Sequence, residues 1–573
     1  MQDEHRPVVY TEKAQCRDCY RCLRLCPVKA IRLEGGQASV VADLCIACGT
    51  SIRECPQGAK HFRNDVALVR QLIRSGQPVA ASVAPSFAGV LQPWERHRLA
   101  AGLRQLGFAH ISETAIGAWH VALQSAQLAA TAPDQPKLCT ACPSMVRYVT
   151  AYRPPLAKWL LPVSSPMVSH ARWLKARRPE LLVVFIGPCV AKKVEAEASE
   201  GSVDAALTFT EVQEWFAQEG VDLATLEEST FDDPVPQTAA LFPLPGGLVE
   251  ASGMHHEHLL SPRHLCVTGF AEIRDALDSL QEHPHDLLVE GLFCPHGCIN
   301  GPGISAALPL FDRRLAVLDY ARRQPTTTEA PPLETHLTHA DFRHERPPQH
   351  DVTDEAIRSL LEETGKARPE DRLNCGACGY ATCIDKARAV LLGMAEREMC
   401  LPLMRRLAEK RTDRIIESSP NGIVIVDERL TILHMNPTFR RFFLCSDAVL
   451  GKKIAYLFDP DPFEQLAAGT TLQVERTSRH DAYHLVCHEI FYALREEKQF
   501  VGIFVNITHS QQNKEKLHEL RSHTIQQAQE LLRHQLQMAQ QMARFLGDST
   551  AQGEALVKNL LQLAVATDDH HDR

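Results

Sequence analysis

The sequence has no long apolar run. Across 573 residues no stretch reaches the roughly 18–20 apolar positions that a bilayer-spanning helix needs. Positive charge is not in excess either. The 61 Lys and Arg stand against 70 Asp and Glu, for a net charge of −9 and a pI near 6.3. No basic stripe dominates, which argues against a nucleic-acid partner. The opening M-Q-D-E-H-R-P lacks the apolar h-region of a secretory signal. A phosphate loop of the G-x-x-x-x-G-K-S/T type is missing. His523 lacks the His-Glu-x-x-x-Pro setting of a phosphoacceptor, and no ATP-binding domain follows it. These absences lead to the expectation of a cytoplasmic chain without a membrane span. The composition, 45% hydrophobic and 23% charged, is that of ordinary globular protein. The length suits three to five domains.

Cysteine is what the chain has in quantity. In a reducing compartment, closely spaced cysteines read as metal or redox sites, not disulfides. Cys16, Cys19, Cys22 and Cys26-Pro27 form the bacterial ferredoxin run, and Cys45, Cys48 and Cys55-Pro56 begin and end a second copy. The pattern implies two [4Fe–4S] clusters in which the fourth cysteine of each run serves the other cluster. That assigns Cys16, Cys19, Cys22 and Cys55 to one cluster, and Cys45, Cys48 and Cys26 to the other. Ser51 stands where the second copy should have its third cysteine. Thiolate is the softer and usual ligand, so this cluster is Ser-ligated, labile, short of one iron, or absent. A structural zinc module is the alternative for the region.

A second set is dispersed: Cys142 in A-C-P, Cys189 in P-C-V-A-K-K-V-E, and Cys294 with Cys298 in C-P-H-G-C-I-N-G-P-G. Four cysteines gathered from three loops imply a folded pocket around a metal centre. Val79–Val83 and 181–186 read as buried strands and 212–219 as a helix. This is an α/β pattern whose loops at the strand ends are where ligands bind. With L-T-F-T-E at 207–211, these motifs resemble the large-subunit catalytic domain of [FeFe]-hydrogenases over roughly 240 residues. The resemblance implies an H-cluster whose [4Fe–4S] part is held by Cys142, Cys189, Cys294 and Cys298. The Cys298 sulfur would also bridge to a di-iron unit carrying CO, cyanide and a dithiolate amine. Lys192 matches the residue that hydrogen-bonds a cyanide, and Glu195 the acid that steadies it. Gly301 and Gly303 are expected to give the close backbone approach that a bulky cluster needs. Two positions depart from the productive members. Ala141 replaces a proton-relaying cysteine and Leu292 replaces a methionine, which implies slow turnover. Cys139 is three residues away from Cys142 and does not fill the relay position. A domain holding only the cubane, as in iron–sulfur assembly relatives, is the alternative.

The third set, Cys375, Cys378, Cys383 and Cys400, follows a Pro-, Thr- and His-rich linker at 323–353. Gly376 and Gly379 let its loop curl. The segment resembles the small four-cysteine [4Fe–4S] domain of redox and corrinoid proteins, and zinc is the alternative. Residues from 412 onward resemble a PAS domain, with a turn at 427–429, Asn436-Pro437 opening a helix, and closing strands at 485–492 and 499–507. Its ligand is open. His434, His484 and His488 read either as haem ligands or as strand-surface and core histidines. Cys445 and Cys487 read as buried thiols. Ile525, Ala528, Leu532, Gln535, Ala539, Met542 and Leu546 then recur at coiled-coil spacing up to Gly547, with a short amphipathic stretch ending at Ala566.

The expected fold is therefore multidomain, mixed α+β and α/β. It comprises a two-cluster ferredoxin-type domain at 1–65, a hydrogenase-like domain at 75–322, the linker, a four-cysteine domain at 354–410, a PAS domain at 411–509 and a signalling helix at 510–573. Three function classes follow: a hydrogen- or redox-sensing iron–sulfur protein, a working ferredoxin-linked hydrogenase or bifurcating-complex subunit, and a non-catalytic carrier or scaffold. The expected partners are H2 and protons, a redox protein, a downstream phosphatase or kinase, and a second copy of the chain in a homodimer.

Overall fold

The computed structural model describes residues 7–545 and 558, apart from 132–133, 235–236, 253–263, 306–307, 325–333 and 343–350. The chain divides into two compact units, Met1–Met404 and Arg405–Arg573.

Two parallel sheets organise the first unit. Val79–Val83 is apolar and small, and every residue of it is buried, the pattern of a parallel strand covered on both faces. It lies inside a four-stranded sheet ordered His110–Glu113, Val79–Val83, Leu182–Gly187, Ala205–Thr208. All three pairings are parallel, and Ser82 stands in register with Ser112. A second parallel sheet runs His264–Thr268, Leu288–Leu292, Lys137–Leu138. Parallel neighbours need long crossovers, and the helices Leu99–Gln105, Ala191–Glu197 and Gly269–Glu282 lie in them. Ala115–Thr131 and Pro166–Arg177, on the connections between the two sheets, pack on each other. The strand expected at 181–186 is displaced by one residue. The helix expected at 212–219 starts at Phe209, because Thr208 and Glu211 form a capping box in T-F-T-E.

The N-terminal module is built from two short antiparallel pairs, Val9–Thr11 with Lys60–Phe62 and Ile31–Glu34 with Gln37–Val40. The third cysteine segment is docked on it. Leu23, Ile31 and Leu33 share one apolar cluster with Tyr380, Met394 and Met399, and the Leu33 amide donates to the Met394 carbonyl at 3.0 Å. Part of the expected linker is also docked. Thr335–Thr338 is helical with Leu337 and Thr338 buried, and the Arg172 guanidinium donates to the Leu337 and His339 carbonyls. Composition could not show this, because the anchor lies some 165 residues earlier in the chain.

The second unit holds a five-stranded antiparallel sheet, ordered Ile432–Met435, Gly422–Asp427, Gln499–Asn506, Leu485–Leu494, Gln473–His480. Phe439, Phe443, Phe463, Phe491 and Phe504 fill its core. The Asp427 carboxylate accepts from the Arg429 and Thr431 amides, closing the expected turn. Asn436 caps the helix Pro437–Phe442 through the Phe439 amide. The histidines do not gather. His434 lies on the first strand and His484 in a left-handed turn, while His488 pairs with Glu475 at 2.7 Å. Cys487 is buried, but Cys445 is only partly so, because it follows the helix at the edge of the core. Helix Thr508–Phe545 exposes Ile525 and Ala528 and half-covers Leu532. Side chains from Ala539 onward, including Met542 and Leu546, and the stretch to Ala566 lie outside the described residues.

Glu489 is fully buried in this sheet, 2.6 Å from His480 Nε2 and 2.8 Å from Arg476 Nε. Burial alone would raise its pKa. The hydrogen bonds from His480 and Arg476 outweigh burial and hold it below the usual carboxylate value. Its contribution to stability is therefore present above the unfolded carboxylate pKa and lost as pH falls through the lower folded one. Glu489→Gln is expected to flatten that acid-side loss, read by hydrogen-exchange mass spectrometry over residues 422–506 between pH 3 and 7.

Candidate metal-cluster site

The loops that leave the C-terminal ends of both parallel sheets converge. Leu182–Gly187 leads to Cys189, Lys137–Leu138 to Cys142, and Leu288–Leu292 to Cys294 and Cys298. All four cysteines line one cavity. Lys192, Ala141, Leu292 and Gly301 line it too. Burial pushes the Cys189 thiol up to about 11 and raises Cys142, Cys294 and Cys298 as well. Left to themselves these groups are neutral thiols, whereas an iron cluster would take them as thiolates.

Lys192 brings the ammonium. Its Nζ donates to Glu195 Oε2 at 2.6 Å and to the Ala141 carbonyl at 3.3 Å. Those bonds use two of its three donors. A further polar group was not evident from the sequence: Ser86 lines the cavity, and its buried Oγ has no hydrogen-bond partner. Four soft donors, an ammonium and an unpaired hydroxyl around one hollow fit an anionic iron–sulfur group. Among the described residues no three His, Cys, Asp or Glu side chains close around a point as a single metal ion requires.

Gly301 and Gly303 also permit a close approach between loops. A Cβ on Gly301 would stand 2.3 Å from the Pro188 carbonyl oxygen, and one on Gly303 2.6 Å from the Thr208 side chain. These glycines let the Cys298 loop lie against the Cys189 loop. Lys193, beside Lys192, carries a structural role that the motif did not disclose. Its side chain is 1% exposed, and Nζ bonds Asp65 Oδ2, Glu211 Oε1 and the Ala206 carbonyl, each at 2.9 Å.

The structure brings several of the N-terminal thiols near one another. Cys22 lies within electrostatic reach of Cys16 and Cys55, and Cys26 within reach of Cys45 and Cys48. Cys19 is exposed. Ser51 lies on the short helix Thr50–Arg53, where the Cys48 thiol meets Thr50 Oγ1 at 3.3 Å. Cys48 also lines the central cavity, close to Cys294. Two contacts hold it there. Arg53 donates to the Asn300 carbonyl at 2.9 Å. Gly49, at φ +72°, sits where a Cβ would be 2.3 Å from Pro302.

In the third segment Cys378, Cys383 and Cys400 surround Lys366 and Lys386. Lys366 Nζ meets the Cys400 sulfur at 3.0 Å. Burial opposes ionisation of Cys400, but the Lys366 bond, the Leu403 backbone bond and the charges of Lys366 and Lys386 together outweigh it, leaving that thiol below its ordinary pKa. Cys375 is exposed at the start of the loop. Asn374 fixes the turn by accepting from the Cys383 amide at 2.8 Å. The Tyr380 phenol lies within electrostatic reach of both Cys378 and Cys26.

Comparison with known proteins places these features in families. Residues 77–302 match the family described as iron only hydrogenase large subunit, C-terminal domain. Residues 371–402 match an Fe–S cluster family, and 410–476 match the PAS domain family. The NADP-reducing hydrogenase subunit HndD of Solidesulfovibrio fructosivorans is 23% identical over 369 residues, 50% of this chain and 63% of that protein. The cytosolic Fe-S cluster assembly factor NAR1 of Eremothecium gossypii is 28% identical over 221 residues, 36% of this chain and 48% of that one. The chain thus spans less than two thirds of these curated relatives. Among solved structures, a variant of [FeFe]-hydrogenase HydA1 from Chlamydomonas reinhardtii aligns at 18% identity, covering 49% of this chain and all of that one, with a TM-score of 0.39. The chain carries an [FeFe]-hydrogenase large-subunit-like domain, an Fe–S-related segment and a PAS domain in a mixed α/β multidomain architecture.

Proposed function

We propose that this protein activates H2 in the cavity bounded by Cys142, Cys189, Cys294 and Cys298, and exchanges the electrons through its other cysteine sets as a ferredoxin-linked hydrogenase-type redox protein. The convergence of those four cysteines with Lys192 on one hollow carries the reading. When bound there, a [4Fe–4S] cluster joined to a di-iron unit supplies heterolytic cleavage of H2. The four cysteines would hold the cubane, with Cys298 shared by the di-iron unit. Lys192, steadied by Glu195, offers an N–H donor to an anionic group inside the cavity. Phe293, Pro143 and Met167 on the wall exclude water. Electrons would pass first to the set of Cys26, Cys45 and Cys48, because Cys48 is on the cavity wall. From there they would reach the set of Cys16, Cys19, Cys22 and Cys55, or cross near Tyr380 to the set of Cys375, Cys378, Cys383 and Cys400.

A second reading has the same chemistry run slowly to report on hydrogen or redox state. It is favoured by Ala141, whose methyl on the cavity wall cannot relay a proton, and by the PAS match. Its output would pass to a phosphatase or kinase. Infrared spectra of protein made with maturation factors test the common core. CO and cyanide bands are expected, and their absence would leave only a carrier or scaffold. Ala141→Cys separates the two readings. If the missing thiol limits the rate, H2 turnover rises at least tenfold; an unchanged rate would sink the slow-reporter account.

A further inference from the structure

A continuous series of hydrogen-bonding side chains leads away from the cavity. Thr114, on the cavity wall, follows strand His110–Glu113. Its Oγ1 is 2.8 Å from Ser82 Oγ. Ser82 Oγ is 2.8 Å from His170 Nδ1, and His170 Nε2 is 3.1 Å from Ser112 Oγ. Ser112 in turn bonds the Asp233 carboxylate, which reaches solvent and is held from its other side by His110 Nε2 at 2.8 Å. Ser82, Ser112 and His170 are fully buried and Thr114 nearly so. Register places the two serines side by side on neighbouring strands. His170 is fixed above them because Gly117 lets its helix close in: a Cβ there would lie 2.7 Å from the His170 backbone nitrogen.

The series has a polarity. Burial drives the His170 imidazole down to about 3, so the ring is neutral, with one donor and one acceptor nitrogen. At Asp233 burial works against ionisation, but the bonds from His110 and Ser112 prevail and hold it below the usual carboxylate value. An ionised carboxylate only accepts. Ser112 therefore donates to Asp233, His170 Nε2–H to Ser112, Ser82 to His170 Nδ1, and Thr114 to Ser82. Every hydroxyl and the ring point outward.

We propose that this series is a proton exit whose resting hydrogen bonds are set for outward transfer, receiving at Thr114 a proton released in the cavity and delivering one to solvent at Asp233. The inference rests on the proposed function, which needs a proton outlet that Ala141 does not provide. As Thr114 Oγ1 gains the cavity proton, its own passes to Ser82, and the Ser82 proton passes to His170 Nδ1. The Nε2 proton moves to Ser112, and the Ser112 proton to Asp233, which releases it. Each residue forms one O–H or N–H bond and breaks another. One proton leaves and no electron moves. Rotation of the hydroxyls and a tautomer change at His170 reset the series.

Two measurements on the full chain test it. The first uses protein labelled with nitrogen-15 at histidine and made without maturation factors, with the His170 signal assigned by His170→Gln. NMR is expected to show the Nε2–H tautomer. Asp233→Asn is expected to slow exchange of that ring proton with solvent at least tenfold, with amide protection in Pro166–Arg177 unchanged. A network that only pins the helix to the sheet predicts no such slowing. The second uses matured protein. Thr114→Val is expected to cut H2 oxidation at least tenfold with unchanged infrared bands, and Thr114→Ser to restore it. The Nδ1–H tautomer, exchange indifferent to Asp233→Asn, or full turnover in Thr114→Val each overturns the exit. Missing CO and cyanide bands would overturn the proposed function instead, and the ring-exchange result would still decide the route.

Discussion

Under the proposed function, Cys298→Ser will abolish H2 turnover and the CO and cyanide infrared bands, while the iron proposed for the N-terminal and third cysteine sets is retained. The expectation rests on how little freedom the position has. Cys298 opens a short turn, Cys298–Asn300, entered through Gly297 at φ +88°. A Cβ on Gly297 would lie 2.6 Å from the Pro243 carbonyl, and that carbonyl accepts from the Cys298 amide at 2.9 Å. The backbone cannot shift to bring in a replacement ligand. A serine oxygen is also harder than thiolate and a poor substitute on iron. Iron analysis with infrared spectroscopy checks the outcome. Bands that persist in Cys298→Ser would place the di-iron unit on another residue.

Lys193→Met will destabilise the hydrogenase-like domain by about 3–5 kcal/mol, the cost of stripping a buried carboxylate of its counter-ion. The ammonium bridges Asp65, at the end of the N-terminal module, and Glu211, in the cap of helix Phe209–Glu219. Glu211 is 1% exposed and also accepts from the Asp65 and Thr208 amides. Without Lys193 its charge has no cation beside it. Asp65 retains Arg63 at 2.7 Å, so the loss falls mainly on Glu211. All five tryptophans, at 94, 119, 159, 173 and 215, lie within this domain, so tryptophan fluorescence during urea unfolding reads it selectively. Lys193→Met with a wild-type midpoint would show that the carboxylates are satisfied without the lysine. Lys192→Met, one residue away, is expected to leave that midpoint nearly unchanged and to alter the cavity.

The contrast between these two lysines shows what the sequence could and could not disclose. Both stand in P-C-V-A-K-K-V-E, but successive helix positions point about 100° apart. One reaches the cavity and the other the carboxylates 128 and 18 residues away. Local spacing carried the cysteine sets, the strand Val79–Val83 and the PAS turn at Asp427, because each is written in neighbouring residues. Ser86 and Cys48 reach the cavity only through the meeting of distant loops, and a serine in P-S-F has no local signature. The pairing of Ser82 with Ser112 depends on strand order. The docking of Thr335–Thr338 depends on Arg172. Such relations are fixed by tertiary contacts that no window of sequence contains.

The seam between Gly49 and Pro302 has a further consequence. One loop lies beside Cys48 and the other after Cys298, and they meet so closely that a single Cβ added at Gly49 would collide with Pro302. Tunnelling decays steeply with gap width, and here the gap between the cavity and the first relay is set by van der Waals contact. Under the proposed function, electrons that leave the cavity past Cys48 cross a gap set by this contact, so a change that pries the seam open at Gly49 should slow them without touching the cavity itself.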